Sequence, residues 1–377
     1  MPNMGNVMGI IFSNTHDASI QELTKIRTLG SVPFGGRYRM IDFPLSNMVN
    51  SGITKVAVIA KSNYLSLLDH LKSGREWDLL RKNGGLCVLP PFSRTGMGMY
   101  RGSLEALVGA KGYIEETMAK YIVLTDCDVI ANVDYRTAVE AHEKSDADVT
   151  AVYFEDVCDA EKLKNKTVYE IDDDNRINSI LINPITNGAE KKSNFAANMY
   201  IMNTKFLLDI INESSAKNLI SFEIDILQHR VSKYIIKGYK YTGYYQQINT
   251  MLDYFNANMN MLETSNREQV FLSATPIYTK IRDEAPVKYG LESSVKNSLI
   301  ADGCVIDGTV ENCIVFRGVT IGKGAKVKNS IIMQDTIIGK KCEINYAITD
   351  KDVTVADYRS LQGSESYPVY INKGANV

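Results

Sequence analysis

Over the first two thirds of the chain, short aliphatic and β-branched runs alternate with stretches of helical spacing. Asn6–Phe12, Lys55–Ala60, Tyr121–Leu124 and Asp148–Phe154 predict strands, while Tyr64–Lys72, Ser103–Lys120 and Tyr135–Lys144 predict helices. Strands separated by helices imply βαβ units and a mainly parallel sheet. Such sheets bind ligands beyond the carboxyl ends of their strands. The loops after Phe12 and Leu124 are therefore where chemistry is expected.

The period changes after about residue 285. Single aliphatic residues then recur every four to six positions, at Ile300, Ile306, Val310, Val315, Ile321, Val327, Ile332, Ile338 and Ile344, with Gly and Asn between them. One aliphatic per short strand suits the narrow triangular core of a parallel β-helix, whose corners take small or turn-forming residues. The predicted organisation is an α/β domain over residues 1–262, a linker over 263–285, a β-helix over 286–357 and a tail over 358–377 outside the repeat. The open ends of a short β-helix expose unpaired backbone groups, so the neighbouring domain or another subunit is expected to cover them.

Composition narrows the class. A net charge of −2 over 377 residues argues against a protein held to nucleic acid by phosphate contacts. No apolar run is long enough to span a bilayer, and the first residues carry no basic leader, so a cytoplasmic location is expected. The six cysteines, at 87, 127, 158, 304, 313 and 342, have no CxxC spacing, which points to reduced thiols rather than a zinc site or a disulfide framework.

Phe34–Ile53 reads FGGRYRMIDFPLSNMVNSGI, and this segment resembles the hallmark of ADP-glucose pyrophosphorylases. The resemblance continues through His70, Gly74, Trp77 and Asp78, through Leu89-Pro90-Pro91, Tyr100–Ala106 and Asp128–Tyr135, and into Phe316–Val319 and Ile332–Gln334. It covers nearly the whole chain. It implies a Rossmann-like nucleotidyltransferase domain with a mainly parallel sheet, followed by a C-terminal left-handed parallel β-helix. The family makes ADP-glucose and pyrophosphate from ATP and glucose-1-phosphate. That chemistry calls for backbone N–H groups, Arg or Lys, and a carboxylate-held Mg²⁺ around the phosphates.

Several of those parts are substituted here. The loop that matches the family's Gly-rich phosphate cradle is Ser13–Ser19, which has no glycine; Ser19 takes the place of its Arg, and Asp17 brings a negative charge. Leu29 replaces a phosphate-facing Lys, and Asn183 the sugar-phosphate Lys. Of two metal-holding carboxylates, Asp128 matches and the other is Gln247, a weaker ligand for Mg²⁺. Asp126 lies two residues before Asp128, but side chains so spaced at a strand end need not converge on one ion. Tyr100, Gly102, Ser103, Asp128, Asn198 and Asp225 match what is left of the ligand pocket. Arg27 matches the arginine of the family's RAKPA segment and Arg39 one that lies near its activator phosphate; an anion site and ordinary salt bridging are both open readings.

The resemblance thus implies a chain with little or no activity of its own and no required cofactor, although its active relatives use Mg²⁺. Its expected partners are a catalytic ADP-glucose pyrophosphorylase subunit in a tetramer and a phosphorylated effector, with neither nucleic acid nor membrane. Its role would be that of a regulatory subunit in glycogen synthesis. The alternative is an active sugar-nucleotide pyrophosphorylase with a rewired site, which needs a cation cluster elsewhere. A hexapeptide acyltransferase is disfavoured, because His16, His70, His142 and His229 all precede the repeat.

Overall fold

The computed structural model describes residues 2–91, 99–158, 166–184 and 191–377. The first domain is built on a nine-stranded sheet. Its strands are β1 (Val7–Phe12), β2 (Lys55–Ile59), β3 (Gly85–Leu89), β4 (Tyr121–Asp126), β5 (Val149–Cys158), β6 (Thr167–Ile171), β7 (Ile177–Ile182), β8 (Lys191–Asn203) and β9 (Ile236–Lys240). The main path runs β7-β6-β8-β4-β1-β2-β3, with β5 on β8 and β9 on β5. Strands β3, β2, β1 and β4 are parallel, and β8 runs antiparallel to β4. The four predicted strands and three predicted helices are all present, with shifts at their ends.

All six residues of β1 are buried, which is why it reads as a continuous apolar run. Met8, Ile10 and Phe12 face one core layer with Leu104, Leu107 and Ile114 of the helix Ser103–Glu116. Val7 and Ile11 face the opposite layer with Leu45 and Met48 of the helix Asp42–Asn50. Gly9 permits that helix to approach: a Cβ there would lie 2.2 Å from the Met48 sulfur.

The second domain is a parallel β-helix. In one of its sheets Ile306, Ile321, Ile338 and Val355 stack in register. Val310, Val327 and Ile344 form a second stack, and Ile300, Val315 and Ile332 a third. All nine residues that signalled the repeat are thus placed in register. At one corner Asn297, Asn312 and Asn329 adopt left-handed φ of 41°, 52° and 44°. Their side chains hydrogen-bond from coil to coil, at 2.8, 3.2 and 2.9 Å, the last to Asn345. Asn tolerates this backbone and can pair with its own kind above, which accounts for its recurrence.

Two sequence-based boundaries are revised. The tail, expected to lie outside the repeat, extends it: Ser360–Gln362 pairs with Glu343–Asn345, and Val369–Ile371 with Ala347–Thr349, both in parallel. The linker begins with the helix Thr264–Val270 and then lies along the first domain. There Asn132 Nδ2 donates to the carbonyls of Val270 and Thr275, at 2.9 and 2.7 Å.

The first domain covers one flank of the β-helix. Ile314, Ile331 and Ile348 stack in register and join Phe316 and Met333 in one cluster with Phe34, Phe43, Tyr254 and Phe255. The neighbours Val315 and Ile332 belong to the interior core, so each doubled apolar pair serves two cores. At the edge of this contact Arg27 Nη2 lies 2.6 Å from Asp350 Oδ2, with both side chains buried. The Tyr370 hydroxyl donates to the same oxygen at 2.8 Å.

Asp350→Ala would leave the Arg27 guanidinium buried without its counter-charge. Removing one partner of a buried pair typically costs about 3–5 kcal/mol. Urea unfolding should therefore show a lowered midpoint for Asp350→Ala. A change within about 0.5 kcal/mol, as at an ordinary surface site, would mean that the pair does not brace the two domains.

Candidate functional site

Strand order turns back on itself between β1 and β4, the place where a doubly wound sheet opens a crevice. Phe12 and Asp126 are register partners at the ends of these two strands. The chain leaving β1 reaches His16 within four residues, and the chain leaving β4 turns through Cys127 and Asp128 into the short strand Val129–Ala131. His16 Nε2 lies 3.1 Å from Asp126 Oδ2 and 3.6 Å from Asp128 Oδ2. One ligand atom from each of the three lies within 4.8 Å of the others. Asp126 and Asp128 therefore do converge, contrary to the expectation for residues two apart, because the chain bends directly after β4.

Each carboxylate is oriented by neighbours. Thr15 Oγ1 donates to Asp126 Oδ1 at 3.2 Å. Gln247 Nε2 and Asn198 Nδ2 donate to Asp128 Oδ2, at 2.9 and 3.2 Å. The other oxygen of Asp128, Oδ1, is buried without a hydrogen-bond partner. A cavity of about 290 Å³ opens beside the group, with Lys166, Asn183 and Glu223 among its lining residues.

The electrostatics follow from burial. Burial, with the charge of Asp126 added, raises the Glu223 carboxyl. Burial likewise raises Asp126, although His16 pulls it down. For the His16 ring burial disfavours the charge, but Asp128 and Asp126 outweigh it and raise the ring to about 10. The crevice thus sets Asp126, Asp128 and Glu223 around the His16 ring, with Lys166 also on the cavity lining.

The residues singled out in the sequence are only partly assembled here. Gln247, Asp128 and Asn198 meet as described, and Ser19 and Asn183 line the same cavity. Tyr100, Gly102 and Ser103 line an adjoining recess with Lys61, whose Nζ sits 5.6 Å from the centre of the Tyr100 ring. Gly102 is there for packing: a Cβ would lie 2.6 Å from the Ile220 carbonyl oxygen. Asp225 is occupied elsewhere, accepting from the backbone N–H of Ile220 and of Ser221 at 2.9 Å each. Leu29 is a core residue. Asp17 does not line the cavity beside the triad; its carboxylate accepts from Leu29 N at 2.8 Å and from Asn14 Nδ2 at 2.7 Å, so it braces the loop.

His16, Thr15, Lys166 and Glu223 were not picked out from the sequence. The contacts of Thr15 and His16 with Asp126 span more than a hundred residues and no spacing marks them. The position of His16 just after β1 was the one available signal.

Arg27 and Arg39 lie together away from this crevice, beside Lys351 of the β-helix. Arg27 is committed to Asp350, while its Nη1 is buried without a partner. Arg39 Nη1 donates to the carbonyl and hydroxyl of Ser66, at 2.7 and 3.0 Å. Burial, reinforced by the charges of Arg39 and Arg27, lowers the Lys351 ammonium to about 7.

A switch-point crevice with strand-end carboxylates, joined to a hexapeptide β-helix, defines a nucleotidyltransferase-type protein with a left-handed β-helix domain. Residues 19–264 match the family described as Nucleotidyl transferase, and residues 285–362 the one described as GlmU-like, C-terminal hexapeptide. The chain is 38% identical to the Glycogen biosynthesis protein GlgD of Bacillus subtilis (strain 168), covering 98% of this chain and 96% of that protein. It is 36% identical to the GlgD of Geobacillus stearothermophilus, over 85% and 82% of the two chains. It is 31% identical to the Glucose-1-phosphate adenylyltransferase of Clostridium acetobutylicum, over 84% and 83%. The chain belongs to the ADP-glucose pyrophosphorylase (glucose-1-phosphate adenylyltransferase) family. Among the described residues no helix is long and apolar enough to cross a membrane.

The lowered Lys351 sets a pH dependence. Its folded value of about 7 lies below its ordinary 10.5, so between the two the unfolded chain holds this proton more tightly. Stability therefore gains a contribution as pH rises through that window. Lys351→Met should lose this slope, as read by urea unfolding at several pH values from 7 to 10. Parallel profiles for the two proteins would show that Lys351 is not held in a cationic, desolvated site.

Proposed function

We propose that this chain is a regulatory, catalytically degenerate member of the family that acts in glycogen synthesis beside a catalytic adenylyltransferase subunit. The likeness to proteins named for glycogen biosynthesis supports the process, and its extension over 98% of the chain supports a shared role with the first of them. The observation that carries the degenerate reading is the exchange of the family's cationic and carboxylate positions around the crevice. Where a triphosphate and a sugar phosphate must be held together, the chain places Asp126, Asp128 and Glu223. The family's cation positions are Ser19, Leu29 and Asn183, and its second metal carboxylate is Gln247, whose amide N–H donates to Asp128.

The retained Phe34–Ile53 segment packs on the β-helix within the chain, and the open ends of the β-helix are what assembly with a second subunit in a tetramer would cover. The group of Arg27, Arg39 and Lys351 supports a phosphorylated effector acting at the contact between the domains. An effector would then shift the partner's balance of conformations. Lys61 and Lys166 favour the second reading, an active enzyme with a rewired site, since they bring cations to the same crevice.

Both readings meet in one assay: synthesis of ADP-glucose by the chain alone, and by the chain co-expressed with a catalytic paralogue, across activator concentrations. Loss of one preorganised electrostatic group typically costs about 10²–10³ in rate. The chain alone should fall below a catalytic relative by at least that factor, and the co-purified complex should show a changed activator response. Turnover within about tenfold of the relative would establish the rewired enzyme instead. Separate elution with unchanged partner kinetics would remove the regulatory role.

A further inference from the structure

The three groups at the switch point have the geometry of a metal site, but not of the Mg²⁺ site that the family uses. Mg²⁺ wants near-octahedral oxygen ligands and keeps several waters. Here one of the family's two carboxylates is an amide that turns its N–H toward Asp128, and an imidazole nitrogen has entered from the loop after β1. Imidazole with carboxylate suits Zn²⁺ and its first-row neighbours. Two ligand atoms about 2.0 Å from a tetrahedral Zn²⁺ stand about 3.3 Å apart. His16 Nε2 stands 3.1 Å from Asp126 Oδ2 and 3.6 Å from Asp128 Oδ2, on either side of that figure.

We infer that His16, Asp126 and Asp128 form a site for a divalent first-row transition metal of the Zn²⁺ class. Three protein ligands leave the fourth position open to water or to a small anion entering from the cavity. Outer partners are in place: Thr15 on Asp126, and Gln247 and Asn198 on Asp128. Such second contacts fix ligand orientation and strengthen binding. A further observation points to a missing positive partner. Asp128 is fully buried, yet its Oδ1 has no hydrogen-bond donor. Such an atom is costly unless it meets a cation or an ordered water. Glu223 places a third carboxyl group on the cavity lining.

The test uses the full chain, stripped with a chelator. Zn²⁺ is titrated calorimetrically, Co²⁺ is followed by its visible d–d absorption, and Mg²⁺ is titrated as the reference. Wild type should bind one Zn²⁺ or Co²⁺ per chain, more tightly than Mg²⁺. Loss of a supporting contact costs about 10–100-fold in metal affinity, so loss of a ligand should weaken binding by at least about tenfold. That is the expected result for His16→Ala, and Asp126→Asn provides an independent second variant. Circular dichroism and thermal melts report whether each variant is folded. His16 lies on a partly exposed loop, so His16→Ala is expected to keep the fold. No binding by wild type, or affinities for a folded variant within about tenfold of it, would overturn the inference and leave His16 as an internal counter-ion only. Ion binding is read without any synthesis assay, so its failure leaves the regulatory reading standing.

Discussion

The structure turns on the meeting of three ionisable groups where β1 and β4 end. A parallel sheet that reverses its order at this point must leave a crevice, and the backbone brings whatever follows both strands into it. Here that is a histidine whose Nε2 lies 3.1 and 3.6 Å from two aspartate oxygens. Buried charges persist only when they are compensated. Gln247, Asn198 and Thr15 point their donors at the carboxylates, and the two carboxylates raise the His16 ring between them. Carboxylates at this position oppose a polyphosphate, in line with the degenerate role proposed above.

The rest of the molecule keeps a different commitment. Doubled apolar pairs along the β-helix serve its interior and the neighbouring domain at once, and Arg27–Asp350 closes the contact with a buried ion pair. Little of that packing depends on the contents of the crevice. The fold can therefore persist while the groups of the crevice are exchanged for others.

Most of the fold was legible in the sequence, because hydrophobic period is a local signal. Ile306, Ile321, Ile338 and their fellows announced the β-helix, and the runs of β1 and β4 announced a buried parallel sheet. The tail was missed because its coil is formed by Ser360–Gln362 and Val369–Ile371, separated by a turn that breaks the period. The site was legible only in part. Asp128 and Gln247 stood out by resemblance, but the approach of His16 to Asp126 depends on a bend after β4 that no spacing encodes. Asp17 looked like a charge opposing a triphosphate and Asp225 like a pocket residue, and both are instead tied to backbone N–H groups. Which way a carboxylate turns is settled by nearby donors, and those are assembled only by the tertiary structure.

The central claim is that the crevice has exchanged affinity for phosphate for an internal balance of charge. Equilibrium binding of ATP in the presence of Mg²⁺, measured for this chain and for a catalytic relative under the same salt, tests it most directly. Each missing hydrogen bond to a charged group is worth about 1.5–3 kcal/mol, and more than one is missing. The account predicts ATP affinity at least about a hundredfold below that of the relative. Equal affinity, with the nucleotide competing at this crevice, would contradict it.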